Sequence, residues 1–113
     1  MQLKDKWIVG LVKPYSSVEE ILIQQGFKRC GRMEVPTFQL TIQDSATRST
    51  YLLKIPISLS PSYQDELLSK IGYPYLEKLS YMEKLRPSLT IPEPIKRAAE
   101  SKLAEIADYL LSN

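Results

Sequence analysis

From Thr37 to Gln43 the chain alternates without a break: Phe38, Leu40 and Ile42 fall on one side, Thr37, Gln39, Thr41 and Gln43 on the other. From Thr50 to Ile57 it alternates again, with Tyr51, Leu53, Ile55 and Ile57 on one side. A period of two is the signature of a half-buried antiparallel strand. The stretch between them, Asp44-Ser45-Ala46-Thr47-Arg48, is polar turn material. The two runs therefore predict a hairpin with one apolar face.

Two helical patterns can cover that face. Ile95, Ala99, Leu103, Ile106 and Leu110 recur every three or four residues, and Pro94 suits a first helical turn. This predicts a long C-terminal helix through Ser112 with its apolar stripe on the sheet. Nearer the start, Ser16 and Ser17 are each followed three residues later by Glu19 and Glu20, so either pair can form a capping box. Val18, Ile21 and Leu22 share a face behind it, and Gly26 suits the left-handed position just past the end.

The remaining segments are weaker. Trp7 to Val12 reads as a strand that Lys13-Pro14 ends. Phe27 to Val35 reads as a strand in which Gly31 marks a bulge or a close backbone approach, with Pro36 breaking it. Tyr63, Leu67, Leu68 and Ile71 have helical spacing, whereas Ile71, Tyr73 and Tyr75 alternate as a strand would. Arg86 to Pro94 reads as an extended connector. The whole predicts one α+β domain over residues 1–113. Its mostly antiparallel sheet has four to five strands, with the short helix and the long C-terminal helix packed on it.

Composition removes function classes. The chain has no histidine and one cysteine, Cys30. Histidine is the usual base near neutral pH and the commonest zinc ligand. Its absence excludes Ser-His-Asp and Cys-His machinery and His-containing zinc sites, and one cysteine excludes a Cys₄ site. No catalytic residue, metal site or cofactor is expected, and the chain reads as a non-enzyme. The net charge is +2, with charges interspersed along the sequence, so no nucleic-acid partner is indicated. The apolar segment near the start is too short for a signal peptide or a membrane span, which predicts a cytoplasmic protein without a membrane partner.

Three groups remain as candidate sites. Lys28, Arg29 and Arg32 are a candidate anion-binding set, although in a strand residue 29 points away from 28 and 32. Tyr73, Tyr75 and Tyr81 cluster around Pro74 and are candidate interface residues, since tyrosine serves surfaces that are dry at one end and wet at the other. Cys30 lies among basic neighbours but has no recognisable base, so it reads as a small structural residue.

Several segments carry a family resemblance. Gln25-Gly26-Phe27 followed by Gly31, the strand Phe38-Gln39-Leu40-Thr41-Ile42, Tyr51-Leu52-Leu53-Lys54-Ile55-Pro56-Ile57 and Ile71-Gly72-Tyr73-Pro74-Tyr75-Leu76 resemble the YugN-like proteins of Bacillus and its relatives. The resemblance implies an α/β sandwich, no established activity and a strand just before Gly72. Two functions are expected from the residues: an interaction module that self-associates as a two-fold homodimer, or a domain that binds a small anionic ligand.

Overall fold

The structure, a computed structural model, describes residues 8–32, 35–46, 48–62, 66–79 and 91–112. In chain order its elements are β1 (Val12–Pro14), α1 (Tyr15–Gln24), β2 (Lys28–Arg32), β3 (Val35–Asp44), β4 (Ser49–Pro61), β5 (Leu67–Ile71), β6 (Tyr75–Leu79) and α2 (Glu93–Leu111). The strands form one antiparallel sheet in the order β1-β5-β4-β3-β2, with β6 also paired to β4. This is the α+β architecture expected from the sequence.

The β3–β4 hairpin is the centre of the sheet. Phe38 pairs with Ile55, Leu40 with Leu53 and Ile42 with Tyr51, so the apolar phases of both strands share one face. Both helices pack on that face. Val18, Ile21 and Leu22 of α1 join Ile95, Ala99, Leu103, Ile106 and Leu110 of α2 in a single core with Phe38, Leu53, Ile55 and Ile57. The α2 stripe is thus buried as its spacing predicts.

The strand β4 has 13 residues and serves two partners along one edge, β6 at Thr50–Lys54 and β5 at Ile57–Pro61. Between these ladders Ile55 and Pro56 oppose three residues, Gly72, Tyr73 and Pro74. That is a β-bulge in one interrupted strand, which is why six strands are found where four to five were read. Gly72 N–H donates to the Pro56 carbonyl at 2.9 Å and anchors the bulge. A Cβ on Gly72 would lie 3.1 Å from the Pro56 ring. The extra residue resets the alternation: Ile71 faces the core, and Tyr75, four residues on, faces the other side. The strand reading for the segment before Gly72 is the right one.

Three local expectations are corrected. The chain turns at residues 8–10 and the first strand begins only at Val12, where the sequence reading ends it. Gly10, at φ 82°, makes that turn and donates to the Ile71 carbonyl at 2.7 Å. Pro14 is compatible with β1 because β1 is an edge strand. Neither capping box forms: β1 runs straight into α1, Pro14 stands at the cap position without a side-chain bond, and both serines fall inside the first turn. Pro36 does not break the chain but lies in β3 opposite Gly31. It precedes the β4 pairing, which starts at Thr37, so no β4 ladder bond is lost.

The end of α1 follows expectation. Gly26 has φ 94°, its N–H reaches the Ile23 carbonyl, and the N–H of buried Phe27 reaches the Leu22 carbonyl at 2.9 Å. That pair of bonds is a Schellman closure. No helix among the described residues is long and apolar enough to cross a membrane.

Candidate interaction surface

With α1 and α2 on one face of the sheet, the other face carries no helix among the described residues. Strand register states what it presents. One cross-strand row is Lys28, Gln39, Lys54 and Tyr75. Beside it run Thr41, Leu52 and Glu77 on one side, and Cys30, Thr37 and Pro56 on the other. Further along lie Arg32 with Val35, and Val12 with Lys70 and Ser58. Lys28, Arg32, Lys70, Glu77, Val12, Val35 and Leu79 are all exposed.

The charges are sorted by layer. Among the described residues the open face holds four cations, Lys28, Arg32, Lys54 and Lys70, and one acid, Glu77, for a net +3. The two helices hold six acids, Glu19, Glu20, Glu93, Glu100, Glu105 and Asp108, against Lys96, Arg97 and Lys102, for a net −3. The strand residues on the helix side, Lys13, Arg29, Lys78 and Asp44, add +2 to this, so among the described residues the helix side carries net −1 and the cationic excess lies on the open face. Strands lie about 4.8 Å apart and rise about 3.3 Å per residue. The cations from Lys28 to Lys70 therefore span roughly 20 Å on that spacing, a macromolecular distance.

The predicted anion set does not converge. Lys28 and Arg32 share the open face, while Arg29 is opposite Phe38 and turns to the helix side. There Arg29 Nη1 lies 3.6 Å from Glu19 Oε2 and 3.5 Å from Tyr15 Oη. Tyr15 Oη in turn donates to Glu19 Oε2 at 2.9 Å. Burial, with Glu19 beside it, pushes the Tyr15 phenol above its ordinary value, and the hydrogen bond to Tyr15 raises the already high Arg29. The three side chains tie β2 to α1 at the sheet margin.

A cleft lies elsewhere, on the helix side. A space of ≈ 370 Å³ between α1 and the end of α2 is lined by Ser17, Glu20, Ile21, Gln24, Tyr109 and Ser112. Its only charged wall is an acid, so it does not suit a small anion. Cys30 is half-buried on the open face and its Sγ donates weakly to Gln39 Oε1 at 3.4 Å. Of the tyrosines, Tyr73 is 57% exposed in the bulge and Tyr75 is half-buried on the open face. Tyr81 lies outside the described residues.

Lys54, Lys70 and Glu77 are the surface residues that sequence reading missed. Lys54 could have been found, because it sits in the polar phase of a strand that was recognised. Its Nζ is 3.3 Å from Glu77 Oε2, a pair that leaves three cations of the face without an acid beside them in the register rows.

No family model matches the chain, and no curated protein does. Among solved structures, the uncharacterized conserved protein YugN from Geobacillus kaustophilus HTA426 superimposes with a TM-score of 0.81, covering 99% of this chain and 96% of that one at 16% identity. The chain has a YugN-like fold.

Proposed function

We propose that this chain is a non-enzymatic interaction module whose working surface is the open face of the sheet, and that the surface takes an anionic partner. The observation that carries this reading is the uneven placing of charge among the described residues, net +3 on the open face against net −1 on the helix side. Such a field steers an oppositely charged partner and fixes which side of the module it meets. The cations are spread over a broad surface, which favours a large partner over a small ligand. The absence of histidine and of a paired nucleophile in the sequence supports a binding role.

The test is a titration with a labelled polyglutamate peptide at two salt concentrations. Binding should weaken as salt rises, because exposed charges are screened beyond about 8–10 Å at 0.10–0.15 M. Lys28→Glu with Lys70→Glu should abolish it. Lys96→Glu with Arg97→Glu on α2 should not. Equal loss from both pairs would mean that net charge alone is being read, and the assignment of the surface would fall.

Self-association is the second reading, and the same charge pattern favours one geometry for it. A two-fold packing of open face on open face would set net +3 against net +3. A head-to-tail arrangement sets the open face against the acidic helix layer of the next copy, a heterologous contact. Sedimentation equilibrium at low salt should then show association that 0.5 M salt reverses. A single 13.0 kDa species at all concentrations would end this reading.

A further inference from the structure

We infer that the partner of the open face is an acidic polypeptide segment that also carries apolar side chains, and not a nucleic acid. The inference rests on the surface assigned above and names its occupant. Three observations select a polypeptide. The first is the exposed apolar content of the same face: Val35, beside Arg32, is 58% exposed, Val12, beside Lys70, 51%, and Leu79, past Glu77, 59%. Each lies on the same face as Lys28, Arg32 and Lys70. A phosphate backbone offers these side chains nothing to cover them, whereas a strand or helix bearing Leu or Val beside Glu does.

The second is Glu77, on that face and paired to Lys54 at 3.3 Å. A polyanion with one charge per short repeat would have to pass it at close range, since duplex DNA carries a charge every 1.7 Å of axis. An acidic peptide can place an apolar or neutral residue there. The third is the aromatic supply. Single strands are held by bases stacked on several aromatic platforms beside a basic groove. Among the described residues only Tyr75 lies in the cross-strand rows of this face, half-buried beside Lys54, with Tyr73 exposed in the adjoining bulge. Charge complementarity therefore chooses an anion, and the apolar content chooses the kind.

The probes are three labelled chains of equal negative charge: a peptide of alternating Glu and Leu, a peptide of Glu alone, and a single-stranded oligonucleotide. Fluorescence anisotropy at 0.1 M salt should give the order Glu/Leu peptide, then Glu peptide, then oligonucleotide. The first step should be about tenfold, the effect of roughly 1.4 kcal/mol. Val35→Ser with Leu79→Ser should bring the Glu/Leu peptide down to the Glu peptide and leave the other two unchanged. Circular dichroism of each variant verifies that it is folded, which exposed positions allow. An oligonucleotide that binds tighter than both peptides would overturn the inference and leave the surface assignment standing. Failure of all three probes to bind would overturn both.

Discussion

Leu103→Ala should lower the stability of the domain by about 2–5 kcal/mol, the range for truncating a buried leucine. Leu103 has no exposed surface and lies midway along α2, between Ala99 and Ile106 in the same core. The helix is long, but its mean hydropathy is modest, and a solvated face of Glu93, Arg97, Glu100 and Ser101 contributes little to holding it in place. Its attachment comes from the stripe. On a domain of this size the change corresponds to a fall in melting temperature on the order of 10–20 °C. Thermal melting followed by circular dichroism measures it. A midpoint within a degree of the parent would mean that α2 does not dock through this stripe.

The parts of the fold that hydropathy displays were legible from the sequence. The β3–β4 hairpin alternates because one face is buried and the other wet, and α2 repeats because one stripe is buried. The segment before Gly72 hid itself for a specific reason. Its core phase contains Ser69, which is fully buried and donates its hydroxyl to the Lys13 carbonyl at 2.8 Å. A polar residue satisfied by a neighbouring edge strand breaks the apolar pattern without breaking the strand. The bulge at Gly72–Pro74 then shifts the phase, so Ile71 and Tyr75 appear to share a face that they do not share. The start of β1 was misplaced because its apolar run, Trp7 to Val12, spends part of its length on a turn at Gly10.

The surface was less legible than the core, for a different reason. Which charges meet depends on strand register, and register is a property of pairs of segments distant in sequence. Lys28 and Lys54 are 26 positions apart and become members of one row only through Gln39, which pairs with both. Interspersed charges along the chain therefore sort into a cationic sheet face and an acidic helix layer, a division that no window of sequence displays. Arg29 shows the converse. It is adjacent to Lys28 in sequence, yet the pleat sends it to Glu19 and Tyr15 on the other side of the sheet.

Phe38→Ala should be the more damaging of the two truncations, at about 3–5 kcal/mol. Phe38 is fully buried on β3, pairs with Ile55 across the hairpin and with Arg29 across the edge, and its ring centre is 6.4 Å from that of Tyr15 at a 46° tilt. It therefore touches the three things that hold the sheet margin together: the central hairpin, the α1 helix and the Tyr15–Glu19–Arg29 cluster. Removing the ring loses its own burial and also opens a path for water beneath Tyr15, whose phenol is raised by that burial. The loss is a large part of a total stability of roughly 5–15 kcal/mol, so urea titration should show a much reduced midpoint, or a protein unfolded before denaturant is added. In whatever fraction remains folded, the Tyr15 phenol should titrate closer to its ordinary value, because more of it is wet. Partial unfolding cannot mimic a retained binding surface, so the same variant also separates the core from the open face. Folded Phe38→Ala should bind the acidic peptide as the parent does, since Phe38 and the cations Lys28 and Lys54 lie on opposite faces of the sheet. A variant as stable as the parent would show that Phe38 is not packed as described.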